Sequence, residues 1–308
     1  MSTTQLSRLR LLFFGFPWEY SRIPLQALLE AGAEVAALVV PRRPLNPEPV
    51  AIRRLWPPAG EERTGAAGDE ALTTTQLAWR HDIPVHLLSQ PGAPDAVATL
   101  ASYRPDLALV VGFPHLIPPA LLATPSGGFL NLHPSLLPAY RGPNPLFRML
   151  RAGETTTGVT LHYMDERFDT GDIVSQATVS FPDGASGGEC QRLCAQAGAK
   201  LLLEALARLQ AGDALPRRPQ PASGSYFSHP SQADFALDAA WPARRAFNFM
   251  RGTEEWGNPY MIKAGGLIPL SLRQALSYDP DETLAAPLRR EGEEVAVQFT
   301  PGVLRATV

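Results

Sequence analysis

Apolar residues fall along the chain in two kinds of block. The first is a short, nearly continuous run: Leu9 to Phe14, broken only by Arg10, then Glu34 to Val40, Pro84 to Leu88, Asp106 to Val111 and Phe129 to His133. Runs of this length predict strands of a parallel sheet that is covered on both faces. The second kind spaces apolar residues three or four apart, as in Ile23 to Ala31, Leu72 to His81, Ala93 to Tyr103, Pro145 to Ala152 and Glu189 to Gln210. That spacing predicts helices, the first of them stopped by Gly32. Strand and helix alternate, so the expected fold is an open, mostly parallel α/β sheet joined by right-handed crossovers. Thr157 to Met164, where Val159, Leu161 and Tyr163 alternate with polar positions, and Ile173 to Val179 add two more strands.

The pattern changes after Gln210. Residues 211–225 hold Gly212, Pro216, Pro219, Pro221 and Gly224 and read as a linker between a domain over 1–210 and a second over 226–308. In the second, a helix over Ala239 to Met250 is followed by short β segments at Tyr260 to Ile262, Ile268 to Leu272, Val295 to Phe299 and Val303 to Ala306. Short strands with Gly/Pro turns predict a small β-rich barrel. Pro41 to Asp69 lacks either periodicity and reads as a long loop.

Composition narrows the class. An apolar content of 45% over 308 residues is ample for a core, and a net charge of -3 gives no general sign of a nucleic-acid binder. Cys190 and Cys194 have no partners at metal-ligand spacing, and two thiols suit a reducing compartment. No apolar run has the length of a membrane span and the amino terminus has no basic-then-apolar leader, so a cytoplasmic protein is expected. The turn Gly15-Phe16-Pro17-Trp18 after the first strand lacks the Gly-x-Gly-x-x-Gly pattern of a dinucleotide site, which ranks a nicotinamide enzyme low.

Candidate chemistry concentrates in Gly128 to Gly142, GFLNLHPSLLPAYRG. Asn131 and His133 lie two apart on a strand and so face the same way, before a turn bracketed by Pro134 and Pro138. The prolines fix this turn and are expected to leave peptide groups free for a ligand. An amide that can hydrogen-bond an oxyanion, beside an imidazole that can move a proton, suits acyl chemistry. A satisfied polar pair is the plainer alternative. Downstream, Tyr163-Met164-Asp165 leads into Phe168-Asp169-Thr170-Gly171-Asp172-Ile173, a carboxylate-rich turn. His162 reads as structural, and His115 as incidental.

Taken together, Asn131 to Gly142, Gly158 to Asp165 and Asp169 to Ile173 resemble the signature of the 10-formyltetrahydrofolate-dependent formyltransferases. The resemblance runs from Leu11 to about Arg305 and is closest to the methionyl-tRNA members. It implies a Rossmann-like formyltransferase domain followed by a small OB-like domain, and a catalytic trio of Asn131, His133 and Asp169. The resemblance further implies 10-formyltetrahydrofolate as co-substrate and no metal. Ser135, Leu136, Leu137, Pro138, Phe113 and Asp165 would line its pocket, largely through main-chain groups.

The acceptor implied first is the amino group of aminoacylated initiator tRNA. A nucleotide-linked amino-sugar or other small amine, a formyltetrahydrofolate hydrolase, and a folate- or RNA-binding module without catalysis stay open. Two departures bear on the choice. In 41–69, Arg42, Arg43, Arg53, Arg54 and Arg63 are offset by Glu48, Glu61, Glu62 and Asp69, where the resemblance implies a basic tRNA-contacting loop. The implied closing Gly-Lys-Lys segment would follow Thr307, and the chain ends at Val308.

Overall fold

A computed structural model describes residues 9–42, 50–58, 72–262 and 270–308. These group into two compact units. The first comprises Met1–Arg141, Gly158–Val179 and Arg192–Ser225, and the second Gly142–Thr157, Ser180–Gln191 and Tyr226–Val308. Residues 211–225, expected as a linker, therefore group with the first unit.

The expected strands and helices form. The first unit is built on β1 (Arg10–Gly15), β2 (Glu34–Pro41), β3 (Ile52–Leu55), β4 (Val85–Leu88), β5 (Leu107–Val111), β6 (Phe129–His133), β7 (Thr156–Tyr163) and β8 (Ile173–Ser180). They make one eight-stranded sheet in the order β3-β4-β2-β1-β5-β6-β7-β8. The pairs from β4 to β6 are parallel, whereas β3 on β4 and β7 on β6 are antiparallel. Helices α1 (Glu19–Glu30), α2 (Thr74–Arg80), α3 (Pro94–Ala101) and α4 (Pro119–Leu122) supply the crossovers.

Successive side chains of β1 point to opposite faces, and burial on both faces explains its unbroken apolar run. Leu12 and Phe14 join Ala37, Val39, Ala108, Val110 and Phe129 with Ala96 and Leu100 of α3 in one fully buried cluster. Leu11 and Phe13, which point the other way, are as deeply buried.

β3 corrects the expectation of a featureless loop at Pro41 to Asp69. It is a sheet edge that buries only Ile52 and turns Arg53 and Arg54 outward, so its sequence carries no strand-like alternation. Residues 43–49 and 59–69 of that stretch lie outside the described residues, and so does the loop's expected contact with RNA.

In the second unit, α5 (Pro145–Ala152) packs against α7 (Ala243–Thr253). The core between them is aromatic: Phe147 lies 5.1 Å from Phe235 and 5.3 Å from Phe249, and Tyr260 lies 5.8 Å from Phe249, between ring centroids. Two small sheets complete it. β9 (Ala236–Leu237), β10 (Tyr260–Ile262) and β11 (Leu270–Leu272) form one. β12 (Ala275–Asp279), β13 (Leu288–Glu291), β14 (Glu294–Gln298) and β15 (Val303–Thr307) form an antiparallel four-stranded sheet. The pattern of β12 and β13 escapes notice in the sequence because both are mostly exposed. Among the described residues, no helix is long and apolar enough to cross a membrane.

Helix α6 (Gly187–Gln210) contributes to both units. Gly198 lets it approach β6 so closely that a methyl group there would come within 2.2 Å of Leu132 Cδ2. Gly198→Ala is expected to cost about 1–3 kcal/mol by overpacking, seen as a lower urea midpoint with an unchanged m value.

Candidate active site

β6 carries Asn131 and His133 on one face, and its antiparallel neighbour β7 places His162 directly opposite Asn131. The loop between β7 and β8 supplies Asp169, whose backbone is left-handed (φ 56°). Its carboxylate collects the cluster. Asp169 Oδ1 lies 3.3 Å from Asn131 Nδ2, 3.5 Å from His133 Nδ1 and 3.8 Å from His162 Nε2. His133 and His162 are buried, and the Asp169 side chain is only 10% exposed. The structure thus brings together the trio Asn131, His133 and Asp169, and adds His162, which sequence reasoning set aside as structural.

Carbonyl oxygens settle where the ring protons sit, because a carbonyl can only accept. His162 Nδ1 donates to the Tyr163 oxygen at 2.7 Å. Burial pushes this imidazole down to about 4, with the neighbouring His133 adding to the effect against opposing pulls from Asp169 and the Tyr163 carbonyl. His162 is therefore neutral at pH 7, and its Nε2 lone pair accepts from Asn131 Nδ2 at 3.0 Å. Both hydrogens of the Asn131 amide are engaged, one by His162 and one by Asp169. His133 Nε2 donates to the Tyr140 oxygen at 2.9 Å. That leaves His133 Nδ1, facing Asp169, as the nitrogen able to exchange a proton.

The support around the cluster is local to the first unit. Gln220, in the stretch expected as a linker, donates through Nε2 to the carbonyl oxygens of Asp169 (3.0 Å) and Gly171 (2.8 Å). Arg141 donates to the Asp169 carbonyl at 3.1 Å and to Gln220 Oε1 at 2.7 Å. A left-handed aspartate costs about 1–2 kcal/mol against its ordinary conformation, and these bonds hold it there. Gly171 is needed because a Cβ would sit 2.0 Å from the Tyr163 oxygen. Tyr20, on α1, donates to the Leu132 oxygen at 3.1 Å. Burial, with Cys194 and Asp169 nearby, raises its phenol well above the usual value. Tyr20 is a hydrogen-bonded prop rather than a base.

The turn after β6 differs from expectation. Its peptide groups, expected to face a ligand, are largely consumed inside the protein. Leu137 N–H donates to Thr160 Oγ1 (3.0 Å), its oxygen accepts from Gln176 (2.9 Å), and the Ser135 oxygen accepts from Thr160 (2.6 Å). Ser135 Oγ donates to the Ala139 oxygen at 2.7 Å, and the Pro138 oxygen accepts from Ser225 N–H at 3.2 Å. Asp165 caps its own loop, taking bonds from Arg167 N–H and Thr170 Oγ1. The apolar side chains remain available: Leu136 is exposed and Phe113 is half-buried, edge-on to Phe14 at 5.3 Å.

Among the described residues no group of three or more His, Cys, Asp and Glu is arranged to hold a metal. Burial above all, then Glu189, pushes the Cys190 thiol up to about 12, so it is no nucleophile at neutral pH. A cavity of about 340 Å³ in the second unit is lined by Ala239, Leu284 to Pro287, Gln298 and Thr300, none of them titratable.

Residues 71–206 match the family described as formyl transferase. Methionyl-tRNA formyltransferase of Symbiobacterium thermophilum is 35% identical over 94% of this chain and 84% of its own length. That of Bordetella petrii is 34% identical over 96% and 90%. The chain belongs to the formyltransferase family.

Solved structures agree on the fold. The N-formyltransferase of Helicobacter canadensis, in complex with folinic acid and dTDP-3-aminofucose, superposes with a TM-score of 0.63 at 14% identity, covering 97% of this chain and 98% of that one. Methionyl-tRNA formyltransferase from Clostridium thermocellum gives 0.52 at 13% identity over 87% and 93%.

Two outcomes are expected of this formyltransferase. Because His162 is held near 4 when folded against 6.5 when free, the unfolded chain binds the extra proton between those values. Stability is then complete above about pH 6.5 and falls by about 3 kcal/mol as pH drops to about 4. Urea titrations across that window should show His162→Gln lacking this component. Gln220→Ala, which unties Asp169 and Gly171, should lower activity about tenfold or more by displacing Asp169, with a loss of melting temperature too small to account for it.

Proposed function

We propose that this formyltransferase moves the formyl group of 10-formyltetrahydrofolate to a primary amine, and that the amine is the amino group of methionyl-tRNA in the cytoplasm. The observation that carries the chemistry is the convergence of Asn131 and His133 on one carboxylate oxygen of Asp169. The acceptor is supported by the methionyl-tRNA formyltransferases that match the chain nearly end to end.

The folate supplies an activated formyl carbon; the chain's residues handle charge and protons around it. As the amine adds, negative charge grows on the formyl oxygen and positive charge on the attacking nitrogen. Asn131 Nδ2 is the donor for the oxygen, exchanging its long 3.3 Å bond to Asp169 for one to the substrate. Asp169, deep in the cluster, takes the proton that the nitrogen must lose. His133 Nδ1, 3.5 Å from it, takes that proton over, offers it first as a second hydrogen bond to the oxyanion, and then passes it to the departing folate nitrogen.

Leu136 and Phe113 offer apolar surface to the pterin. Ser135, Leu137, Pro138 and Asp165 shape its pocket from behind by holding the two loops. No metal has a part in this scheme.

Asn131→Ala and His133→Ala are each expected to lower kcat by about a hundred- to thousand-fold, and Asp169→Asn at least as much, in folded protein. The acceptor is decided by assaying charged initiator methionyl-tRNA against a dTDP-linked amino-sugar with the same folate. Transfer to the tRNA that falls steeply with salt is the expected result. Transfer to the sugar alone overturns the acceptor, and formate release without any amine makes the enzyme a hydrolase.

A further inference from the structure

We propose that His162 is a positioning residue for the formyl transfer: its Nε2 holds one hydrogen of the Asn131 amide, so that the other is aimed at Asp169 and the reacting oxygen. This rests on the catalytic reading of Asn131 given above.

An asparagine amide has two ends of nearly equal shape, and nothing in its own bonding selects which end faces a given spot. In this site the choice matters, since only the nitrogen end can serve an oxyanion. His162 makes the choice. It stands across the β6–β7 pairing from Asn131, and its ring is fixed because Nδ1 donates to the Tyr163 oxygen at 2.7 Å. The other ring nitrogen is then an acceptor, 3.0 Å from Asn131 Nδ2. Turning the amide over would set its oxygen against two acceptors at once, the Nε2 lone pair and the Asp169 carboxylate. Those are the partners the nitrogen now satisfies.

The two bonds are unequal in a useful way. The bond to His162 lies within a ring that is 1% exposed and has no competitor from solvent. The bond to Asp169, at 3.3 Å, is long for its type and joins a group whose acceptor strength falls once it takes a proton. When Asp169 is protonated during the reaction, the second amide hydrogen is released to the oxyanion while the first stays anchored. Charge capture on oxygen and proton removal from nitrogen are thereby coupled through one amide. The groups facing His162 are Asn131, His133, Asp169 and Asp165, and the burial that keeps the ring neutral prevails over the two carboxylates.

The test separates the Nε2 acceptor from the rest of the ring. In His162→Asn the short amide can still donate to the Tyr163 oxygen, but nothing reaches Asn131. In His162→Gln an oxygen is offered near the place of Nε2. We expect His162→Asn to lose about ten- to a hundredfold in kcat with the folate KM changed less than about twofold, and His162→Gln to recover most of the loss. Equal kcat in wild type and His162→Asn, or equal loss in both variants at matched thermal stability, overturns the proposal.

Nitrogen NMR of the wild-type protein needs no variant. His162 must show an unprotonated Nε2 and a protonated Nδ1 from pH 6 to 8, and the reverse tautomer or an imidazolium overturns the assignment. If wild type transfers no formyl group to any amine, the functional reading fails, while the NMR result still decides the amide's orientation.

Discussion

The Asp169 carboxylate is the point on which this molecule depends. One oxygen, in a side chain almost closed to water, faces an amide and two imidazoles within 3.8 Å. A buried carboxylate without partners would be costly, and one with partners is strongly oriented. The partners come from two strands and the loop beside them. The loop holds a left-handed backbone because Gln220 and Arg141 grip its carbonyl groups from another part of the chain. Each of these features is unfavourable alone; together they satisfy one another.

The sheet explains why the cluster forms where it does. β6 lies at the boundary between the parallel strands and the antiparallel strand β7. A parallel neighbour, β5, buries its apolar residues, and an antiparallel neighbour brings His162 level with Asn131. The apolar side chains at Leu130 and Leu132 hold the strand in the core while Asn131 and His133 face the site. A strand that alternates in this way delivers two polar groups to a buried place without leaving its backbone unpaired.

Such a site divides labour by fixing protons. One imidazole, His162, is held neutral and serves as an acceptor. The other, His133, spends one nitrogen on the Tyr140 carbonyl and turns the second towards Asp169. Two histidines of the same kind do different things because carbonyl oxygens occupy different nitrogens. The resulting arrangement suits moving an acyl group between nitrogens, where a proton must follow the group across.

Much of this was legible in the residues. The apolar runs and helical spacings mark the strands and helices of the first unit, because parallel strands buried on both faces cannot be polar. The two-residue step from Asn131 to His133 places them on one face, and the likeness to a formyltransferase signature adds Asp169 and the folate. What remained hidden depends on partners distant in the chain. His162 looks like any strand residue until β7 pairs with β6, and Gln220 looks like linker until it reaches Asp169, 51 residues away. β3 has no pattern because an edge strand buries one residue and owes its shape to its neighbour. Local sequence determines which backbone shapes are affordable. Only tertiary structure decides which lone pair meets which hydrogen, since that depends on a few tenths of an ångström between segments that no local pattern connects.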